Sequence, residues 1–425
     1  MKSLRQISMF RSFRNRNYRI FFAGQSVSQI GTWMQRTAIS WLVYSQTHST
    51  FMLGLTIFAS LFPSFLLSVF GGVVSDRFNR HKVLFITQGA SMIQSLVLTI
   101  LVLTDHYSIW MIITLTTFLG IINAFDVPAR QPLVNDLVKD KEELPNAIAL
   151  NSAMVNLARL LGPALSGITL EFWGAGTCFL INTLSFGAVL ISLFLLKLPE
   201  YKPKTEKKKV VAELVEGFNY LKNHPTLSTI LLLLIVMSLF VMPYDTLIPV
   251  FAKMTFHGNA STFGLISSFI GLGAICSTLF LASLKPGTDL KYILPINTFI
   301  LGFGLICFSH ITYFPVAMIF AVMAGFGGMT QTTICITLIQ VHSDAVMRGR
   351  IISFLAMAIF GMLPLGSLLV GAASQKIGPA NTILVQGFIA LLIGLIFSGS
   401  LRADKLKKKD KKVLETVEDQ LIETL

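Results

Sequence analysis

Three ionisable side chains, Arg36, Arg159 and Asp245, lie deep inside long apolar stretches of this sequence. A charge in such a stretch is costly unless it faces a water-filled cavity or an opposite charge. The pattern predicts an ion pair between Asp245 and one of the two arginines, which protonation of Asp245 would break. A static ion pair, or a side chain that reaches out to the lipid headgroups, is the alternative.

Polar residues accompany these charges at helical spacing. The stretch that contains Arg36 carries polar side chains every three or four residues as far as Ser40, which places them in one stripe along a helix. Asn156 stands one turn before Arg159, and Pro243 and Pro249 bracket Tyr244 and Asp245, where they permit a bend. The predicted lining of a wet cavity is Gln25, Gln29, Thr32, Arg36, Asn156, Arg159, Tyr244 and Gln331.

A second group of charges lies at the boundaries of the apolar stretches. The turn "GGVVSDRFNRHKVLF" (71–85) places Asp76, Arg77 and Arg80 between two apolar stretches. A further acid, Asp126, lies near the end of a later stretch and can pair with Arg130 one helical turn away. These residues are therefore expected at one boundary of the apolar region, not at its middle.

The elements that position these residues are membrane helices. The chain has 425 residues, of which 53% are hydrophobic and only 13% are charged. Apolar stretches of roughly 20 residues, each long enough to cross a bilayer, recur about twelve times. The sequence predicts an all-α membrane protein with an N-terminal six-helix bundle (1–198), a cytoplasmic linker with an amphipathic helix (199–225), a C-terminal six-helix bundle (226–401) and a cytoplasmic tail (402–425).

The basic residues are distributed unevenly between the two sides of the predicted helices. Of the 34 lysines and arginines, Lys253 and Lys376 fall on one side, and Arg36 and Arg159 fall within helices. The others lie on the opposite side or at that end of a helix, which predicts that this side and both termini are cytoplasmic. The net charge of +13 is therefore assigned to orientation and to contact with anionic lipid, and a nucleic-acid partner is excluded.

Several stretches resemble the major facilitator superfamily. The 71–85 turn is similar to its loop signature G-x-x-x-D-R-x-x-R-R, carried here by Gly72, Asp76, Arg77 and Arg80. The stretches "IGTWMQRTAISWLV" (30–43), "NAFDVPARQPLVNDLV" (123–138), "NLARLLGPALSG" (156–167) and "MRGRIISF" (347–354) resemble a branch of bacterial drug:proton antiporters. That branch contains macrolide efflux pumps and enterobactin-type siderophore exporters.

The resemblance implies a fold of two six-helix bundles and transport by alternating access without ATP. It also implies a conformational latch at the cytoplasmic side, in which Asp76 rests against the helix start at Arg348 and Arg350, and Arg80 pairs with Asp126. Pairing of Asp126 with Arg130 is the alternative. Asp245 and Asp126 are the candidate proton-coupling residues.

The expected function is proton-coupled export of a small siderophore-like or drug-like molecule from a bacterial cell through its cytoplasmic (inner) membrane. Proton-coupled uptake in the same fold, and a non-transporting scaffold or sensor, are the alternatives. The partners are expected to be the small molecule, protons and lipid, and the protein is expected to be a monomer. No cofactor or metal is expected, and scattered histidines give no catalytic spacing, so an enzyme is not expected.

Overall fold

The structure is a computed structural model, and it describes residues 8–138, 141–196, 210–285, 287–344 and 347–398. These residues form helices and short connections, and they contain no strand. A short 3-10 helix, Ser8–Arg14, comes first, and the linker helix Val210–Asn223 lies between the sixth and seventh long helices. The long helices are α1 (Arg16–Thr47), α2 (Thr50–Arg77), α3 (Arg80–Leu103), α4 (Ile109–Leu137), α5 (144–173), α6 (175–194), α7 (Pro225–Thr255), α8 (Ala260–Ser283), α9 (Leu290–His310), α10 (Phe314–His342), α11 (Arg348–Ile377) and α12 (Pro379–Ser398).

The prediction of about twelve crossing helices is confirmed for the described residues. Ten helical stretches are long and apolar enough to cross a membrane. One of them, Leu144–Phe194, changes direction at Gly174 (φ 79°, ψ 175°), a backbone conformation that favours glycine, and so forms two helices. Helix α1 falls outside the ten because of its polar side chains, but its 32 residues are ample for a crossing.

Side-chain caps set the starts of several helices. Ser49 accepts a hydrogen bond from the backbone N–H of Met52 at the start of α2, and Ser108 does the same for Met111 in α4. Asn79, inside the basic turn, accepts from the N–H of His81 and begins α3. Each cap satisfies a backbone donor that the first helical turn leaves without a partner. Because the Asn79 cap begins α3 only three residues after α2 ends at Arg77, the basic turn between the two helices is short.

Helix α7 is irregular where the sequence places two prolines. A 3-10 turn, Met242–Leu247, interrupts the α-helix, and a π-helical turn follows at Phe251–Thr255. Proline removes a backbone donor and displaces the preceding carbonyl, so the predicted bend has a direct physical cause. The interruption places Asp245 within the 3-10 turn.

Two helix pairs, α2 with α11 and α5 with α8, are closely packed at one end of the molecule. There Thr50 Oγ1 donates a hydrogen bond to the carbonyl of Gly371 at 2.8 Å, and Ser268 Oγ donates to that of Leu160 at 2.9 Å. A β carbon added to Gly264 would lie 2.9 Å from the Cα of Gly167. We call this end the opposite end, and the end that carries Arg77, Arg80 and Arg348 the basic end.

The same faces separate toward the basic end. Gly54 contacts the α11 backbone, so that an added β carbon would lie 3.1 Å from the Cα of Leu368. Gly72 lies eighteen residues, or five turns, further along that face, and nothing stands within 4 Å of its β-carbon position. On α8, Gly271 contacts α5, whereas Thr278 two turns later is exposed. The two helix pairs therefore diverge, and the molecule is open at its basic end.

The linker helix lies against the start of α11. Glu216 Oε1 is 2.6 Å from Arg350 Nη1, and the Tyr220 hydroxyl donates to Asp344 Oδ2 at 2.9 Å. Gly217 lets the helix approach closely, because an added β carbon would lie 3.0 Å from the Phe354 ring. The predicted helix thus lies within the predicted 199–225 segment. The predicted tail, 402–425, lies outside the described residues, and the four-part division of the chain stays a prediction.

Candidate functional site

Two arginines lie over the ring of Trp33 on α1. The guanidinium carbon of Arg36 is 5.2 Å from the centre of the Trp33 ring, and that of Arg159 on α5 is 5.8 Å away. Both distances are within the range of cation–π attraction. Gly162, one turn after Arg159, makes the arrangement possible, since a side chain there would collide with the β carbon of Trp33.

Asp245 on α7 faces the same place. Its Oδ2 lies 3.8 Å from Arg159 Nη2, so the structure pairs the acid with Arg159, one of the two predicted arginines. The separation exceeds the roughly 2.7–2.9 Å of a tight charge-assisted hydrogen bond. Within the described part of the chain, Arg36 forms no ion pair within 4 Å. The role of the pair in coupling stays a prediction.

A small cavity lies between these groups, about two-thirds of the way along α1 toward the opposite end. Its volume of about 70 Å³ is well below the roughly 300–1,000 Å³ of ordinary small-molecule sites. A cargo of siderophore size therefore needs more space than the helices leave here. The lining residues are Trp33, Arg36, Thr37, Ser40, Ile57, Arg159, Pro163, Asp245, Ile248, Phe263, Ser267 and Ile270.

The other residues predicted to line the cavity lie elsewhere. Gln331 is fully buried and accepts a hydrogen bond from Thr298 of α9 at 2.8 Å, so it does not line this cavity in this conformation, and its role in cargo binding stays a prediction. Tyr244 and Gln25 are also buried outside the cavity. A polar side chain at the right spacing can be satisfied by a neighbouring helix as well as by water. Gln29, Thr32 and Asn156 are half-buried and do not line this cavity either.

The charges of the basic end form separate pairs. Asp126 is 1% exposed and accepts hydrogen bonds from Thr87 at 2.9 Å and Gln88 at 2.7 Å on α3. Its ion-pair partner in this conformation is Arg130, so the alternative pairing holds here and the Arg80 pairing does not. Two neutral donors on α3 fix the carboxylate toward the interior of α3 and α4.

The remaining basic-end residues have other partners among the described residues. Asp76 Oδ1 lies 3.9 Å from Arg80 Nη2, within the turn itself. Arg350 pairs with Glu216 of the linker helix, and Arg77 and Arg348 are exposed. Within the described part of the chain, no ion pair joins Asp76 to Arg348 or Arg350, and the implied latch stays a prediction.

A buried polar network inside the first six helices was not predicted. Gln35 on α1 donates to Gln94 of α3 at 3.2 Å, and its Oε1 accepts from Ser95 at 2.8 Å and Asn182 of α6 at 2.8 Å. All four side chains are buried. The sequence feature that could have indicated this network is the presence of uncharged polar residues in apolar stretches. Such residues commonly form hydrogen bonds between membrane helices. Trp33 was also missed, since an aromatic residue in an apolar stretch gives no signal of its own.

Within the described residues, no group of three or more histidine, cysteine or acidic side chains could hold a metal ion. The arrangement of the crossing helices is that of the major facilitator fold. Solved structures share this fold: a nucleoside transporter, NupG, superposes with a TM-score of 0.73 at 11% identity, covering 91% of this chain and 99% of that one. A D-xylose–proton symporter superposes with a TM-score of 0.70 at 13% identity, covering 89% and 97%.

The chain belongs to the transmembrane secretion effector family, because the model of that family matches residues 7–425. It is 29% identical over 411 residues to a staphyloferrin A transporter of Staphylococcus aureus, covering 92% of this chain and 98% of the relative. It is 25% identical to an enterobactin exporter of Citrobacter koseri, covering 89% and 90%. It is 23% identical to macrolide efflux protein A of Streptococcus pyogenes, covering 88% and 93%. The protein is a transporter, and the expectation that it is not an enzyme is confirmed.

Proposed function

We propose that this transporter exports a small siderophore-like or drug-like molecule in exchange for protons. The observation that carries the proposal is the cavity in which Arg36, Arg159 and Asp245 meet beside Trp33. A titratable acid paired with a cation at the closed end of an alternating-access protein can link protonation to opening. The relatives named for siderophore transport, enterobactin export and macrolide efflux support the class of cargo.

The basic end is proposed to face the cytoplasm of a bacterial cell, with the protein in the cytoplasmic membrane. Its lysines and arginines would then contact anionic lipid on that side. In the conformation described above, cargo would enter from the cytoplasm, since the helix pairs diverge there. The opposite end would be the outer gate, closed by α2 on α11, by α5 on α8 and by the pair of Arg159 and Asp245.

Exchange follows if this ion pair locks the empty carrier. A proton on Asp245 removes its charge and releases Arg159, and a cargo that binds Arg159 releases Asp245. Either ligand alone would therefore unlock the outer gate, whereas the empty carrier would stay closed. A carrier that moves only when loaded with cargo or with a proton is an antiporter.

The test is proton movement in inside-out membrane vesicles that are acidified inside. Macrolides, siderophores and cationic dyes are added one at a time, and the internal pH is followed with a fluorescent dye. We expect at least one cargo to release protons with the intact protein and not with Asp245→Asn. Asp105→Asn is the matched control, because Asp105 is an exposed residue in the α3–α4 connection whose left-handed backbone (φ 57°) asparagine also adopts.

Two results would contradict the proposal. If no cargo releases protons, exchange is wrong. If Asp245→Asn keeps the full proton response, another group carries the proton, and Asp126 becomes the next candidate. A cargo that enters right-side-out vesicles together with protons would instead establish uptake.

A further inference from the structure

The cavity beside Trp33 contains more positive than negative charge. Two guanidinium groups, those of Arg36 and Arg159, share it with one carboxylate, that of Asp245. Asp245 lies 3.8 Å from Arg159, and Arg36 has no ion-pair partner within 4 Å among the described residues. Arg36 and Asp245 are exposed to the space between the helices, so the unpaired guanidinium of Arg36 is accessible to an anion that enters this space.

We propose that Arg36 and Arg159, which give the cavity its surplus positive charge, bind a carboxylate of the cargo beside Trp33. The inference rests on the proposed function and narrows it, since it makes the cargo an organic anion. A guanidinium presents paired donors that match the two oxygens of a carboxylate. Both arginines line the same cavity of about 70 Å³ beside the Trp33 ring, so a carboxylate that enters this cavity lies near both guanidinium groups.

The neighbouring groups favour an anion over a cation. A cationic cargo would meet two arginines and could pair only with Asp245, which Arg159 already attracts. An anion meets the reverse situation: it gains both arginines and displaces only the loosely held Asp245. Ser267, a further lining residue, donates no hydrogen bond within the described part of the chain, so its hydroxyl is available to an oxygen of the cargo. Trp33 and Phe263 give an apolar surface for the remainder of the molecule.

The experiment measures binding, not transport. Purified full-length protein in lipid nanodiscs is titrated by calorimetry with tricarballylate, with its neutral triamide, and with tetraphenylphosphonium. We expect tricarballylate to bind at least tenfold more tightly than the triamide. The affinity for tricarballylate should not change when tetraphenylphosphonium is present. Arg36→Gln and Arg159→Gln should each weaken tricarballylate binding by about tenfold to a hundredfold, because each removes a charge-assisted hydrogen-bonding partner.

Two further variants separate this site from a general charge effect. Lys253→Gln is the matched control: its ammonium lies 5.7 Å from the Trp41 ring, so it too is a cation over a tryptophan, but it does not line the cavity. It should leave binding unchanged. Asp245→Asn should tighten tricarballylate binding, because it removes the carboxylate that competes for Arg159. If the pair of Arg159 and Asp245 had only a structural role, Asp245→Asn would not increase the affinity for tricarballylate.

The inference is overturned if Arg36→Gln and Arg159→Gln bind tricarballylate as the unaltered protein does, or if the triamide binds equally well. It is also overturned if the vesicle assay finds only cationic or neutral cargoes and tricarballylate does not compete with them, although exchange itself would then stand. If tricarballylate binds as expected while no cargo releases protons, the anion site stands and the proposal of exchange fails.

Discussion

Asp126 has three side-chain partners although it is almost completely buried. Thr87 and Gln88 donate hydrogen bonds to it, and Arg130 neutralises it. A buried charge with so many partners is a stable part of the structure in this conformation. Asp126 therefore joins α3 to α4 here, and any exchange of its partner to Arg80 must occur in a different conformation.

Replacing Asp126 with alanine should lower the stability of the protein. Arg130 would remain partly buried without its counter-charge, and the loss of one member of a buried pair typically costs about 3–5 kcal/mol. The measurement is the thermal unfolding midpoint in detergent, with Asp105→Asn as the control. The double variant Asp126→Leu, Arg130→Met should recover part of the loss, and an unchanged midpoint in Asp126→Ala would disprove this account.

At the level of residues, the sequence predicted the charged residues of the cavity better than it predicted the uncharged residues that line it. Arg36, Arg159 and Asp245 could be found because a charge in an apolar stretch needs a specific environment. Gln331 lies outside the cavity in this conformation, which the sequence could not show, because helical spacing tells which face a side chain occupies but not what covers that face. The covering helix is α9, and no feature of α10 alone indicates it.

At the level of elements, glycines determine how closely α2 and α11 approach. Gly54 contacts the backbone of α11 at Ser367 and Leu368, and Gly371 contacts α2 at Thr50. A larger residue at either position would force the backbones apart. Gly72 lies on the same face of α2 as Gly54, but a β carbon added there would have no neighbour within 4 Å outside its own helix backbone, among the described residues.

Gly54→Ala should destabilise the closed opposite end, whereas Gly72→Ala should leave it unchanged. An extra methyl group in a closely packed interface typically costs about 1–3 kcal/mol. Thermal unfolding of the two variants side by side measures this difference, since both replace a helical glycine in the same helix. Equal effects of the two substitutions would show that helix propensity, and not the contact with α11, is responsible.

The linker helix is held to α11 by few contacts. Glu216→Lys should release it, because the new lysine repels Arg350. A single exposed ion pair contributes only about 0.2–1 kcal/mol, so we expect faster amide hydrogen exchange in residues 210–223 and little change in overall stability. The charge-swapped double variant Glu216→Lys, Arg350→Glu should restore slow exchange, and failure to do so would mean that Tyr220 and Gly217 hold the helix.

The elements themselves were largely predictable. Apolar length predicted about twelve crossing helices, and apolar spacing predicted a helix in the linker, which the structure has at Val210–Asn223. Pro243 and Pro249 indicated a bend in α7. The 3-10 and π-helical turns that form this bend could not be predicted, because several backbone arrangements satisfy a proline and the neighbouring helices select one.

At the scale of the whole molecule, the closed opposite end and the open basic end make a prediction about access. In a background without Cys178, Cys276, Cys307 and Cys335, cysteines at Ser68 and Thr278 should react with a water-soluble thiol reagent added at the basic end. Cysteines at Thr50 and Ser268, which are packed between the helix pairs, should not react. Equal labelling of all four positions would contradict the divergent arrangement.

The sequence could not predict which end is open. The proposed alternating-access cycle requires the same residues to support both arrangements, and the free energies of such arrangements differ by only a few kcal/mol. Small contacts such as that of Thr50 with Gly371 decide the balance, and they involve residues from helices far apart in the chain.

If cargo and protons are exchanged as proposed, the surplus arginine in the cavity would also make the carrier sensitive to membrane voltage. Two arginines and one aspartate give the empty cavity a net charge of +1. A bound carboxylate reduces this charge to zero, and a proton on Asp245 raises it to +2. Reorientation with a single carboxylate would therefore move no net charge across the electric field, whereas the proton-loaded return would move two. Because a full crossing is worth about 2.3 kcal/mol per charge per 100 mV, an interior-negative potential would accelerate the return step and leave the export step unaffected.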